Sequence, residues 1–140
     1  MCWKGKWQRP VKLTAIEDLH VFKLMRSGFV SYYKSFIYNP GVTYHSSLGK
    51  PEATIDGDWR IAKGFHSYDK SCVIHEMDVD LSVYGPTLCP RLDVLTKDQL
   101  IKVGCIIPKG SEYYVNKYGE YVSDSIIIGK VIKRYYDTRY

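Results

Sequence analysis

Residues 107–128 read IPKGSEYYVNKYGEYVSDSIII, and the punctuation of this stretch constrains the chain more than any other feature. Pro108-Lys109-Gly110 and Tyr118-Gly119 break it into short runs rich in Tyr, Val and Ile. Gly supplies the positive φ that tight turns need and Pro presets φ for a turn, so each pair of flanking runs is directed back on itself. Glu112, Tyr114 and Asn116 alternate with Tyr113, Val115 and Lys117, the period of a half-exposed strand. Such segments have one way to satisfy their backbone, which is antiparallel pairing through short connections.

The same device recurs upstream. LHVFKLMRSGFVSYY, residues 19–33, places two β-rich runs around Ser27-Gly28 and predicts a hairpin. KSFIYNPGVTYHSS predicts a second, with Phe36–Tyr38 and Val42–Tyr44 around Asn39-Pro40-Gly41. Residues 46–63 are polar and Gly/Pro-bearing, a loop pinned to the body by Trp59 and Ile61. GFHSY, residues 64–68, follows, and CVIHEMDVDLSVYG alternates in part as a strand does. LTKDQLIKV, residues 95–103, predicts a helix of about two turns, with Thr96 as cap and Leu95, Leu100 and Ile101 as an apolar stripe. VGCIIP reads as a buried strand, and SIIIGKVIKRYY as the last strand, central at Ile126–Ile128. The expected class is α+β and β-rich: a mostly antiparallel sheet built from hairpins with one or two short helices.

The 140 residues predict a single domain over 1–140, large enough to fold without metal or disulfide. Thirteen Tyr suit half-buried strand positions and interfaces, where the ring buries and the hydroxyl stays bonded. No run approaches the roughly 18 apolar residues of a membrane span, and MCWKGKWQRP has no apolar core of a secretory signal. The expectation is a cytoplasmic protein with no membrane contact. Cys2, Cys72, Cys89 and Cys105 are scattered without C-x-x-C and read as reduced thiols.

The net charge of +5 is unevenly placed. Residues 1–12 carry Lys4, Lys6, Arg9 and Lys12 with no acid, and residues 130–140 carry Lys130, Lys133, Arg134 and Arg139 against Asp137. The intervening chain is slightly acidic. Basic ends suit an anionic partner, nucleic acid included, and also suit solvated peripheral tails. In WKGKWQ, Trp3 and Trp7 interleave with Lys as in a base-stacking arm, or pack on the body.

The P-loop, dinucleotide, H-E-x-x-H and G-x-S-x-G motifs are absent. Cys72-x-x-His75 with Cys89 or Cys105 offers zinc-type ligands, but strand residues three apart face opposite sides, and no metal site is assigned. GFHSY gathers an imidazole, a hydroxyl and a phenol, which suit a polar ligand or acid–base work. Read as a strand, the same segment sends Phe65 and Ser67 one way and His66 and Tyr68 the other.

The order LHVFKL … GFHSY … CIIPKGSEYYVNKYGEYVSDSIII resembles a group of small uncharacterised proteins of Bacteroidota and their phages. These pair G-F-H-x-[FY] with a later I-P-K-G-x-x-Y-Y … G-E-x-V-S-[DE]. The resemblance covers mainly residues 60–68 and 103–128 and implies a phage or mobile-element setting, in the bacterial host cell or the virion. The chain also resembles, more loosely, ADP-ribosyltransferase-like folds, which run a basic or His residue, an aromatic/Ser strand and a late Glu. His20 or Lys23, Ser67 with Tyr68, and Glu120 stand in that order. That resemblance implies NAD as cofactor, Glu120 orienting the ribose or nucleophile, and the early basic residue holding the dinucleotide. The chain departs from it in lacking a Glu-x-Glu or Gln-x-Glu pair, since Tyr118 stands two before Glu120.

The expected function is binding rather than turnover, in host takeover, counter-defence or virion assembly. The partner is a nucleotide-like small molecule held by His20, Lys23, His66, Ser67, Tyr68 and Glu120, or a protein met through Tyr-rich strands. No cofactor is expected for that reading. The alternatives are a transferase-like enzyme with Glu120 as catalytic residue and nucleic-acid binding through the basic termini.

Overall fold

The computed structural model describes residues 2–3, 9–26, 28–31, 36–55, 57, 59–70, 100–116 and 118–135. Twelve strands run through them: β1 (Cys2–Trp3), β2 (Val11–Thr14), β3 (Leu19–Arg26), β4 (Val30–Ser31), β5 (Thr43–His45), β6 (Glu52–Ala53), β7 (Trp59–Arg60), β8 (Phe65–Tyr68), β9 (Leu100–Ile107), β10 (Glu112–Val115), β11 (Glu120–Ser123) and β12 (Ser125–Tyr135). Three short strands form a small sheet, β1-β7-β6, and the rest form a nine-stranded sheet in the order β2-β10-β11-β8-β3-β9-β12-β5, with β4 beside β3. Every pairing is antiparallel.

The order of the large sheet forces it to curl. β11 and β12 are four strand spacings apart along the sheet, about 19 Å if it lay flat. Yet Asp124 alone separates Ser123 from Ser125, a link that reaches at most about 7 Å. One continuous strand therefore bends at Asp124, leaves the β10-β11-β8 half and enters the β9-β12-β5 half. The corner is tied down on all sides. The Asp124 backbone N donates to Glu112 O (3.0 Å), its carbonyl accepts from Ser46 N (2.8 Å), and its carboxylate accepts from Glu112 N (3.1 Å). Buried Ser123 donates its hydroxyl to Ser125 O (2.9 Å). A bent strand shared by two half-sheets is how sheets turn corners.

The inner face of the curl is the core. Val21, Met25, Ile101, Val103, Cys105, Ile107, Ile126 and Ile128 pack there, with Leu19, Phe65, Tyr44 and Tyr121 around them. These are alternate residues of β3, β9 and β12, so the period of two read from the sequence is the period of burial. Burial pushes the Cys105 thiol from its ordinary 9.0 up to about 11, against the nearby Lys23 charge, which pulls it down. A smaller cluster, Ile61, Tyr114 and Val122 with Leu48, seals part of the outer face under the 46–63 segment.

The hairpin expected within 19–33 is present as the β3–β4 pair, with Met25 opposite Ser31 and Arg26 opposite Val30. The turns at Pro108–Gly110 and Tyr118-Gly119 are present, with φ near 90° at Gly110 and 80° at Gly119. Ile61 pins the 46–63 segment as expected. Two expectations are corrected. Leu100–Val103 belong to strand β9, not to a helix, because β9 lies between β3 and β12 and buries every second side chain. Residues 95–99 lie outside the described residues, and among those described there is no helix. The Asn39-Pro40-Gly41 turn forms, but its flanks do not pair with each other. Ile37 bridges to Val30 and β5 pairs with β12. The segment CVIHEMDVDLSVYG and Trp7 lie outside the described residues.

β12 carries two register shifts against β9, between Ile128 and Val131 and between Val131 and Lys133. Gly129 sits in the first, where an added Cβ would lie well inside contact distance of the Gly104 carbonyl oxygen. The bulge needs glycine for close backbone approach. Gly129→Ala should destabilise the fold by about 2 kcal/mol, read as a lower midpoint in urea unfolding at unchanged slope. An unchanged midpoint removes the argument.

The raised Cys105 pKa has a definite sign. The neutral thiol is held in the folded state, so its contribution is complete below pH 9 and is lost as pH rises from 9 toward 11. Stability should fall across that window. Cys105→Ala, whatever its cost at pH 7, should flatten that part of the pH profile.

Candidate functional site

The residues singled out from sequence fall on β3, β8 and β11. Glu120 lies directly opposite Tyr68, and Val122 opposite His66. Phe22 lies opposite Tyr68. Opposed residues share a face in an antiparallel pair, so Glu120, Tyr68, His66, Phe22 and His20 all belong to the outer face. Ser67 and Lys23 have the other parity and belong to the inner one. The fold thus brings Glu120 beside GFHSY, but divides the candidate set between two sides of the sheet. No single ligand on one face reaches all six.

Each candidate has a visible structural role or position. Glu120 is 3% exposed. Its Oε1 accepts from Asn116 Nδ2 at 3.0 Å. The same Asn116 side chain accepts from Tyr118 N (3.0 Å) and Glu120 N (3.1 Å) through its oxygen. The carboxylate therefore staples the 116–119 turn that joins β10 to β11. His20 is exposed, opposite Ile106. Lys23 runs along the inner face and donates from Nζ to the His66 carbonyl at 2.5 Å, with its charge 5.8 Å from the Tyr38 ring centroid. Ser67 is buried, and its hydroxyl has no hydrogen-bond partner among the described residues. Tyr68 is 2% exposed and its ring sits 6.0 Å from that of Phe22.

Lys23 also marks a seam. β8 and β3 share one bridge, Phe22 with Tyr68. Beyond it the His66 carbonyl receives the Lys23 ammonium in place of a β3 amide. A charged donor satisfies a carbonyl that the ladder leaves open.

The outer face next to this seam holds a feature that sequence reading missed. Lys102 Nζ lies 4.4 Å from the Phe22 ring centroid and 5.8 Å from that of Tyr68. Directly across from Lys102 on β12 is Lys133. The strands β3, β4, β9, β12 and β5 contain Lys23, Arg26, Lys102, Lys130, Lys133 and Arg134 and not one Asp or Glu, with Lys23 on the inner face and Arg134 opposite inner-face Ile101. The other half-sheet, β2, β10, β11 and β8, holds Lys12, Glu112 and Glu120. The sequence does contain the signal, as an acid-free stretch over 125–136. What it hides is that Arg26 and Lys102 join that stretch.

The basic N-terminal residues within the described chain are engaged structurally. Lys12 pairs with Glu112 at 2.7 Å, and the Arg9 guanidinium lies 5.7 Å from the Trp59 ring centroid. Among the described residues no three His, Cys, Asp or Glu side chains group as metal ligands. Cys72, His75 and Cys89 lie outside them. Compared with protein-family models, curated proteins and solved structures, the chain matches none.

If Glu120 serves the turn, Glu120→Ala should cost about 1–3 kcal/mol, the penalty for unmaking buried hydrogen bonds. Glu120→Gln keeps the Oε1 acceptor and should retain most of that stability. Equal midpoints for Glu120→Ala and the parent in urea unfolding would exclude the staple.

Proposed function

We propose that the protein is a binding module for ligands that combine a phosphate with a planar ring, the nucleotide class, and that it holds them without turnover. The observation carrying this reading is the Lys102 ammonium set over the Phe22 and Tyr68 rings, 4.4 and 5.8 Å from their centroids, in register with Lys133. Phe22 is half-buried and offers a ring edge or face for stacking. The two ammonium groups supply charge for a phosphate. Tyr68 is buried and supports Phe22 rather than meeting the ligand itself. The phage or mobile-element setting implied by the motif resemblance suits a small binder of this kind, acting on a nucleotide signal or a protein in the host cell.

A second reading, transferase-like chemistry on NAD, draws on one observation. Glu120, Tyr68 and His66 share a face. Against it stands the engagement of the Glu120 carboxylate by Asn116.

Titration calorimetry with AMP, ATP, NAD and cyclic nucleotides, followed by mass spectrometry of each mixture, tests both. The binding reading expects at least one nucleotide to bind and to be recovered intact, with Lys102→Glu and Phe22→Ala each weakening it tenfold or more. Lys102 is at the surface edge of the ring pair, so Lys102→Glu should fold. Unchanged affinity in that variant overturns the proposal. Cleaved NAD, with cleavage lost in Glu120→Gln, moves the conclusion to the transferase.

A further inference from the structure

We infer that β2, the open edge of the large sheet, is an interface at which two copies of this chain join as an antiparallel strand pair. The inference is independent of the nucleotide reading. β2 ends the strand order, and among the described residues no strand pairs with its far side. All four of its residues are exposed, Val11 at 59% and Leu13 at 41%. These two side chains share the face of Val115 and Tyr113, which they oppose on β10, and Val115 in turn opposes Tyr121. An apolar row therefore runs out from the core side of the sheet to an unfinished edge, a template for a further strand. Lysine is a common block on such edges. Here the Lys12 ammonium is held 2.7 Å from Glu112 of β10, on the sheet side, and is drawn back from the edge.

The backbone sets the register. Ala15 N donates to Ser111 O, and Ala15 O accepts from Gly110 N, each at 2.8 Å. Ala15 thus turns its polar groups toward β10. By the alternation of a strand Leu13 and Val11 do the same, while Lys12 and Thr14 turn theirs to the open edge. A second β2 must set odd residues against odd and even against even, because opposed side chains share a face. Centring the pair on Val11 or on Lys12 brings Pro10, which has no N–H, against Lys12 or Thr14. Centring it on Thr14 needs Ile16, which lies in a bend past the strand. Centring it on Leu13 avoids all of these. Lys12 then faces the partner's Thr14, and Thr14 faces the partner's Lys12, each pair exchanging two hydrogen bonds. Leu13 meets the partner's Leu13 at the two-fold axis.

The charges also fit a second copy. Glu112 opposes Thr14, so the outer-face row across the junction reads Glu112, Thr14, the partner's Lys12. Each ammonium stands between the Glu112 of its own chain and the partner's Glu112, the latter about 10 Å away at two strand spacings. Acid and base alternate across the axis, and the same patch serves both copies, as in two-fold dimers generally. The contact joins two short strands rather than two broad faces, so the association is weak and depends on concentration.

Sedimentation velocity from about 1 to 200 µM, together with cysteine cross-linking, tests the interface. The parent should pass from monomer to dimer across that range. Thr14→Pro deletes a donor aimed at the open edge, a change that edge strands tolerate. It should weaken the dimer at least tenfold while its urea midpoint stays near that of the dilute parent. Leu13→Cys brings two thiols to a directly opposed pair, with Cα atoms about 4.5 Å apart, within disulfide reach. It should oxidise to a dimer beyond anything the four native cysteines give. Val11→Cys sets the thiols four positions out of register, about 13 Å apart, and should not. A parent that stays monomeric at every concentration overturns the inference. So does Thr14→Pro dimerising as the parent does, or Val11→Cys cross-linking as readily as Leu13→Cys. Should Thr14→Pro fail to fold, the two cysteine variants still decide.

Discussion

Asp124 is the residue on which the architecture turns. A single residue joins two strands that lie four places apart in the sheet order, and no flat sheet can meet that condition. The curl follows from chain length alone, before any side chain is considered. Once the sheet has curled, β3, β9 and β12 must present alternate residues to a shared interior, and the apolar set there follows. The hydrogen bonds around Asp124 hold a bend that the connectivity already demands. The bulge at Gly129 then gives β12 the extra twist that a curled sheet needs.

The same curl brings distant charges together. β3 and β9 carry Arg26 and Lys102, and the chain returns through β12 with Lys130 and Lys133. None of these strands contains an Asp or Glu. In sequence the positive charge at the C-terminal end looks like a tail. In the fold Lys133 stands opposite Lys102, and β9 in turn lies beside β3, laid down more than 100 residues before Lys133. At the N-terminal end, Lys12 pairs with Glu112 and Arg9 lies against Trp59.

Local signals carried most strands and turns. Alternation across 19–26, 65–68 and 112–115 and the Gly-bearing turns were legible because each depends on a few adjacent residues. The helix read into 95–103 failed over Leu100–Val103 for a specific reason. Leu100 and Ile101 satisfy a helical stripe and a strand equally over so short a window. Pairing with β3 on one side and β12 on the other settled the competition. The Asn39-Pro40-Gly41 turn was legible, but the partner of Thr43–His45 was not, since β12 lies some 80 residues away. For the site, parity within GFHSY was readable and correctly set Ser67 against His66 and Tyr68. Which residues of β3 and β11 meet them depends on register, which a linear string does not encode. Phe22 was read only as one residue of LHVFKL and Lys102 only as part of LTKDQLIKV, with nothing to join them. They become a pair only when β3 and β9 lie side by side.

The single bridge between Phe22 and Tyr68 has a consequence for how the molecule breathes. β9 is held along most of its length by neighbours on both sides, whereas β8 shares one ladder bridge with β3 and is otherwise joined to it by side chains: Lys23 on the His66 carbonyl, the Phe22 and Tyr68 rings, and Lys102 over both. The sheet therefore has a line along which side chains replace the backbone ladder. Amide protons of β9 have a ladder on each side, while the β8 margin can part from β3 by giving up one ladder bridge and those side-chain contacts. Ser67, whose hydroxyl is buried without a partner among the described residues, sits on that margin and gains hydration when it parts. Water, rather than a neighbouring strand, is what the open seam would first admit.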